Sequence, residues 1–267
     1  MNVRKIAFFL VCLSVLGLNG CSNTVSQKEK NIVQSDSLYK EGQKYFLGDG
    51  VEQNYKKALE YFEKAANQGS VIAQNDLAGM YFKGIGTEKN EAKALHWFNE
   101  ASKLNSPEAQ YNLGIMYDNG YHVDKDRNKA LDYYKLSAKQ GYARAQFSLA
   151  NAYLDGNGIE RDINKAISLY TDAAKQNLPD AQYNLANIYE EGTIVQKDEK
   201  KALNLYTQAA NQNFPIAQNN LGYMYANTYN DLEKAKYWFQ RASENGYKDA
   251  EEALKQIEST SNSKSCN

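Results

Sequence analysis

Apolar and polar positions along the chain follow one pattern that returns every 36 residues. An Ala-Gln pair marks five copies of it, with Ala at 73, 109, 145, 181 and 217. Leu lies four residues after each Ala and Tyr four residues after each Leu, which is the spacing of one apolar stripe on an α-helix. A degenerate copy begins at Ser37. The pattern therefore predicts six units, at 37–72, 73–108, 109–144, 145–180, 181–216 and 217–249.

A second helix is predicted in the later half of each unit. It begins after Asn or Asp, whose side-chain oxygen can cap the free N–H groups of a first turn. The predicted caps are Asn54, Asn90, Asp126, Asp162, Asp198 and Asp231. The helix stops at Gly or Asn, the residues that most readily adopt the left-handed conformation. The predicted stops are Gly69, Asn105, Gly141, Asn177, Asn213 and Gly246.

Each unit is therefore a helix-turn-helix, and its small residues indicate close packing. The residue after each Leu, such as Gly114 or Ala150, is expected to let a neighbouring backbone approach. Because a lone helix pair cannot bury both of its apolar faces, the units are expected to stack. After the last unit, Ala250, Ala253 and Leu254 predict a capping helix that ends within 250–258. The polar tail over 259–267 is predicted to be disordered.

The unit Ala-Gln-x-x-Leu-(Gly/Ala)-x-x-Tyr-x-x-Gly, followed by Asp-x-x-Lys-Ala, resembles the Sel1-like repeat family, which is related to tetratricopeptide repeats. Residues 109–114 and 162–166 carry the two parts of this motif. The resemblance implies an all-α fold, a right-handed α-solenoid of six 36-residue helix-turn-helix repeats with a C-terminal capping helix. It also implies a concave surface lined by the first helices and a role in holding other proteins.

The N-terminal residues predict export and a lipid anchor. Arg4 and Lys5 precede an apolar run over residues 6–18, which is the length of a signal-peptide core. The run ends in Leu-Asn-Gly-Cys at 18–21, which resembles the bacterial lipobox. We therefore expect a lipoprotein signal peptide over 1–20, an acylated Cys21 and a flexible tether over 21–36. Ser22 resembles an outer-membrane sorting signal, so the expected location is the outer membrane, facing the periplasm.

Composition and charge exclude several classes of protein. The chain has 267 residues with 12% aromatic residues and only 3 Pro and 3 Cys, which excludes a disordered chain and a disulfide scaffold. The formal net charge is −1, and a nucleic-acid-binding protein would need a basic patch. We expect no nucleic-acid partner.

Candidate chemistry is sparse. His96 and His122 are the only histidines, and neither has a Cys, a Ser or a second His at a useful spacing. No cofactor, no metal site and no catalytic residue is predicted. Secreted, cysteine-rich members of the family have been suggested to act on β-lactams or the cell wall, but this chain has no Cys between 22 and 265. A hydrolase is therefore the weakest alternative.

The predicted binding surface lies on the first helices, at positions that point away from the Leu and Tyr stripe. Aromatic rings and Asn amides recur there and could contact an extended peptide. The candidate protein-binding residues are Tyr111, Asn112, Phe147, Asn151, Tyr183, Asn184, Asn187, Asn220 and Tyr223. Packing within the repeats is the alternative explanation. Asp155, Glu190 and Glu191 add acidic charge that would favour a basic partner.

These observations lead to a prediction of function with alternatives. The protein is expected to be a membrane-anchored, non-catalytic scaffold for protein–protein interaction. The second possibility is an immunity protein that neutralises a secreted antibacterial effector, such as a type VI lipase.

Overall fold

The computed structural model describes residues 19–264, and the side chains of residues 31–257. Within them every regular element is an α-helix, which confirms the predicted all-α class. The helices are α1 (Asn19–Leu47), α2 (Tyr55–Asn67), α3 (Val71–Lys83), α4 (Glu91–Lys103), α5 (Pro107–Asn119), α6 (Arg127–Lys139), α7 (Ala143–Asp155), α8 (Ile163–Lys175), α9 (Pro179–Glu191), α10 (Glu199–Asn211), α11 (Pro215–Asn227), α12 (Leu232–Glu244) and α13 (Asp249–Lys264).

The chain divides into two compact units at Lys89. The first unit contains α1, α2 and α3, and each packs against the next along the chain. The second unit contains α4 to α13, and here too each helix packs against its successor. In the second unit the odd-numbered helices from α5 to α11 are the predicted first helices of the repeats. The even-numbered helices from α6 to α12 are their second helices.

All six predicted N-caps are confirmed. Each Asn or Asp side chain accepts a hydrogen bond from the backbone N–H three residues later, at 2.9–3.0 Å. The shortened sixth loop keeps the rule, since Asp231 caps α12 through the N–H of Lys234. The three prolines stand at the first turn of α5, α9 and α11, where a missing N–H costs nothing.

The predicted stops are confirmed as well. Asn105, Asn177 and Asn213 have φ angles of 62°, 61° and 59°, and the Gly residues at the other stops also have positive φ. The left-handed residue ends the second helix and turns the chain into the next first helix. The Gly or Asn at each predicted stop therefore fixes the turn between one repeat and the next.

Two buried Gln residues of the Ala-Gln pairs join consecutive repeats. The Nε2 group of Gln182 donates to the carbonyl of Ala174 at the end of α8, at 3.1 Å. Its Oε1 accepts from Gln212, which follows α10, at 2.7 Å. Gln218 repeats the arrangement with Ala210 and Asn245. Each of these two Gln residues thus gives a helix-end carbonyl a second hydrogen bond, beside the one from the backbone N–H three residues later.

The Tyr positions of the predicted apolar stripe are less buried than expected. Tyr81 is only 3% exposed, but the later members are partly exposed at the surface. Lys129 Nζ lies 4.1 Å from the ring centre of Tyr117, and Lys201 Nζ lies 4.8 Å from that of Tyr189. Cation–π contact therefore holds these rings, while the preceding residue, such as Met116, fills the core.

The small residue after the Leu leaves space for an aromatic ring rather than for a neighbouring backbone. A Cβ added at Gly114 would lie 2.5 Å from Cε1 of Tyr134, which is in the second helix of the same pair. At Gly222 it would lie 2.7 Å from Cε1 of Phe239. Our expectation of a backbone approach was wrong at these positions because the second-helix ring occupies the space.

Both ends of the chain differ from the sequence-based expectation. Helix α1 begins at Asn19, so the backbone expected to be a tether over 21–36 is helical. Helix α13 continues to Lys264, beyond the predicted end of the capping helix and into the predicted tail over 259–267. Residues 1–18 of the predicted signal peptide over 1–20 lie outside the described residues, as do Cys266 and the side chain of Cys21. None of the described helices is long and apolar enough to cross a membrane.

Candidate protein-binding face

The predicted binding residues lie on one set of helices in the second unit. We call the surface formed by α5, α7, α9 and α11 the first-helix face. Tyr223 is 42% exposed, and the other eight predicted residues are partly buried. Helices α7 and α9 are joined directly, because Asn184 Nδ2 donates to Asn151 Oδ1 at 3.4 Å. The face is therefore continuous between these two repeats.

A row of aromatic rings marks the first-helix face. Each ring rests against a ring from the second helix of its own pair. The centroid distances are 5.7 Å for Tyr111 with Tyr134, 5.8 Å for Phe147 with Tyr170, 6.0 Å for Tyr183 with Tyr206, and 4.8 Å for Tyr223 with Phe239. Two of the rings have a second aromatic neighbour, since Tyr111 also packs against Tyr142 at 5.4 Å and Tyr183 against Phe214 at 5.8 Å. Packing within the repeat, the alternative explanation, thus accounts for much of the surface of these rings. Part of each ring remains exposed, so the rings are held rigidly at the surface.

The Asn residues of this face form a hydrogen-bonded network with a buried Tyr hydroxyl. Tyr170 donates to Asn151 Oδ1, and Asn184 Nδ2 lies 3.5 Å from the Tyr170 oxygen. The side chain of Tyr170 is fully buried. The Asn151 and Asn184 side-chain amides therefore already make hydrogen bonds within the protein, and these bonds fix their orientation.

The next repeat has the same network with a carboxylate added. The hydroxyl of Tyr206 donates toward the side-chain oxygens of Asn187 and Glu190, the latter at 2.6 Å. Asn220 Nδ2 lies 3.5 Å from the same hydroxyl. Burial, followed by the hydrogen bond to Glu190, raises the pKa of Tyr206 well above its ordinary value. Tyr206 is therefore a neutral donor at physiological pH.

Tyr170 and Tyr206 are functional candidates that the sequence-based reasoning missed. Each is the second residue of an aromatic pair, which the pattern assigned to the buried face of the second helix. That assignment is correct for the rings, but their hydroxyls reach the Asn residues of the first-helix face. The replacement of Phe by Tyr at this register was the signal available in the sequence.

Glu190 and Asp118 occupy the same register two repeats apart. Each accepts from a Tyr hydroxyl of the second helix, Asp118 from Tyr134 at 3.4 Å, but they differ in ion pairing. Asp118 pairs with Arg127 Nη1 at 2.6 Å, in a partly buried ion pair. Among the described residues Glu190 has no such ion pair, and its partner is the Tyr206 hydroxyl. The negative charge of Glu190 is therefore uncompensated by a salt bridge.

The remaining chemistry of the described residues offers no metal centre. No group of three or more His, Cys, Asp or Glu side chains in that part of the chain could hold a metal ion. His96 packs its ring against Trp97, with centroids 5.0 Å apart, and His122 has a positive φ of 56° in the turn after α5.

A known family model matches the repeats of this chain. The Sel1 repeat model matches six times, at 35–70, 71–106, 107–142, 143–178, 179–214 and 215–247. These boundaries precede ours by two residues, because we counted from the Ala of each Ala-Gln pair and the first helices begin two residues earlier. No curated protein matches the sequence.

Solved structures share this fold. A Sel1 repeat protein from Oxalobacter formigenes is 28% identical, with a TM-score of 0.74, over 83% of this chain and 97% of that one. The immunity protein PA5088 from Pseudomonas aeruginosa is 22% identical, with a TM-score of 0.56, over 85% and 82% of the two chains. The immunity protein Pa5087 from the same organism is 22% identical, with a TM-score of 0.54, over 84% and 82%.

The family model covers residues 35–247 without a gap, and the helix pairs, caps and stops of the structure repeat with the same period. The fold is an all-α repeat solenoid of the kind found in Sel1 and tetratricopeptide proteins. This chain therefore belongs to the Sel1 repeat family.

Proposed function

We propose that the protein is an exported lipoprotein, anchored through Cys21 in the bacterial cell envelope, that binds a partner protein through the first-helix face. The row of partly exposed rings at Tyr111, Phe147, Tyr183 and Tyr223 is the observation that supports this most strongly. Rings that are already held in place lose little entropy on binding, and buried aromatic residues supply much of the energy of protein interfaces.

The anchor and the location remain part of this proposal. A basic N-terminus, an apolar run and the Leu-Asn-Gly-Cys sequence at 18–21 support lipidation of Cys21. Ser22 supports sorting to the outer membrane, with the repeats facing the periplasm. The proposed role is non-catalytic, because the face offers rings, amides and one carboxylate rather than a nucleophile with its base.

Truncating two rings of the row tests the proposed binding face. We expect the double variant Tyr183→Ala, Tyr223→Ala to recover at least about tenfold less partner in affinity purification from crosslinked cells, since each truncation of an aromatic residue that contacts the partner costs roughly 1–2 kcal/mol or more of binding free energy. The measurement is quantitative mass spectrometry of the co-purified proteins.

The matched control is the double variant Leu136→Ala, Tyr237→Ala. These side chains are each 51% exposed and lie on the second helices α6 and α12. Recovery should be unchanged in the control, and circular dichroism should show equal helix content in both variants. Undiminished recovery by a folded Tyr183→Ala, Tyr223→Ala variant would refute the proposed face.

The immunity role stays a prediction. The two Pseudomonas proteins with that name are 22% identical to this chain, and at that level the likeness shows the fold alone. The partner identified by the purification above decides the question, because a secreted antibacterial enzyme as the partner would assign an immunity role within the same binding function.

A further inference from the structure

Charges in the second unit are divided between the two sets of helices. The first helices α5, α7, α9 and α11 contain six acidic residues and a single basic one, Arg144. The second helices α6, α8, α10 and α12 contain eleven basic residues and five acidic ones. The first-helix face is therefore negative although the whole chain is nearly neutral, and a face of one sign attracts and orients partners of the other.

Within the register of Glu190 on this face, Glu190 is the carboxylate whose charge is not paired among the described residues. Asp118, at the equivalent position of an earlier repeat, is neutralised by Arg127 at 2.6 Å. The same register holds Leu154 in the intervening repeat and Ala226 in the following one. Glu190 is thus the one carboxylate of this register without an ion pair among the described residues, and Tyr206 orients it at 2.6 Å.

An aromatic ring, that of Tyr183, lies on the same helix as this carboxylate. The ring of Tyr183 lies 6.0 Å from that of Tyr206 and 5.8 Å from that of Phe214. Tyr206 links this ring to the carboxylate, because its hydroxyl contacts Glu190 and its ring packs against that of Tyr183. A carboxylate and an aromatic ring held in one neighbourhood favour an ammonium or guanidinium group.

An unsatisfied buried acceptor lies on the next helix. Asn219 is 4% exposed, and its Oδ1 has no hydrogen-bond partner among the described residues. Asn219 occupies in α11 the register that Tyr183 occupies in α9, and it lies one helical turn before Tyr223. A buried acceptor without a donor costs free energy. Because this oxygen is buried, the side chains of α11 that a partner could contact are Tyr223 and, in part, Asn220.

We propose that the first-helix face binds an extended, basic segment of its partner, with a Lys or Arg side chain seated between Glu190 and the ring of Tyr183. This inference rests on the proposed function and names the chemistry of the partner. Asn187 and Asn220 flank the cation through the Tyr206 hydroxyl network.

Selection from a phage-displayed library of random dodecapeptides tests the inference. The bait is the full chain in detergent, and the readout is the frequency of Lys and Arg in the selected peptides relative to the input library. We expect enrichment of Lys and Arg. For a selected peptide, Glu190→Gln should weaken binding about tenfold, because it removes one charge-assisted contact and keeps the side-chain size.

The matched control is Glu233→Gln, which removes the same charge from an exposed position on the second helix α12. Its affinity for the selected peptide should equal that of the unmodified chain. Absence of Lys and Arg enrichment, or a Glu190→Gln variant that binds as tightly as the unmodified chain, overturns the inference. If the selected peptides lack basic residues but need Tyr223, only the inference fails, and if they need neither Glu190 nor Tyr223, the proposed function fails with it.

Discussion

Replacing Tyr206 with Ala is expected to lower the free energy of unfolding by about 3–5 kcal/mol, the range for removing a large aromatic side chain from a core. Tyr206 is fully buried in a cluster with Ala202, Leu221 and Met224. The change leaves a cavity in that cluster. It also removes the donor to Asn187 and Glu190, so the polar network loses its centre. Chemical denaturation followed by circular dichroism measures the loss.

Two companion variants separate the loss of packing from the loss of the hydrogen bond. Tyr206→Phe keeps the ring and removes only the hydroxyl, so its cost should be about 1.5–3 kcal/mol, the contribution of a hydrogen bond to a charged group. Tyr237→Ala removes an aromatic side chain that is 51% exposed and should change stability by less than about 0.5 kcal/mol. A Tyr206→Ala variant no less stable than Tyr237→Ala would contradict the packing described here.

Replacing Cys21 with Ser is expected to release nearly all of the protein from the membrane fraction. The proposed anchor is the lipid on the Cys21 thiol, and several acyl chains hold a protein on a membrane far more firmly than a single one. Ser cannot form the thioether that carries the diacylglycerol. Fractionation of cells followed by immunoblotting measures the effect, and metabolic labelling with a fatty acid reports the lipid itself.

Cys266→Ser is the matched control, because it removes a thiol from the opposite end of the sequence. It should leave both membrane association and fatty-acid labelling unchanged. Retention of Cys21→Ser in the membrane fraction would remove the anchor from the proposal and leave the binding face unaffected, since the two rest on different residues.

The parts of the fold that the sequence predicted correctly depend on short-range chemistry. Asp162 caps α8 through a residue three positions later, and Asn177 ends the same helix with its own φ angle. Neither depends on what packs nearby, so a repeated pattern of Asp and Asn was sufficient. The register of the helices and the period of the repeat followed from the same signals.

The polar network of the first-helix face could not be predicted in this way. The contact between Tyr206 and Glu190 joins two helices, and the isolation of Glu190 depends on the absence of a partner such as Arg127. These are properties of three-dimensional packing rather than of spacing in the sequence. The extent of α1 was missed for another reason: residues 22–41 are polar but contain no Gly or Pro to end a helix, and polarity was taken as the sign of a tether.

Site-specific photocrosslinking in cells tests the central claim most directly, that the first-helix face binds a partner protein. A photoreactive phenylalanine analogue replaces Tyr223, which is 42% exposed on α11, or Tyr237, which is 51% exposed on α12. The account predicts a discrete crosslinked product from position 223 and none from position 237. Equal crosslinking from both positions, or a product from position 237 alone, would contradict it.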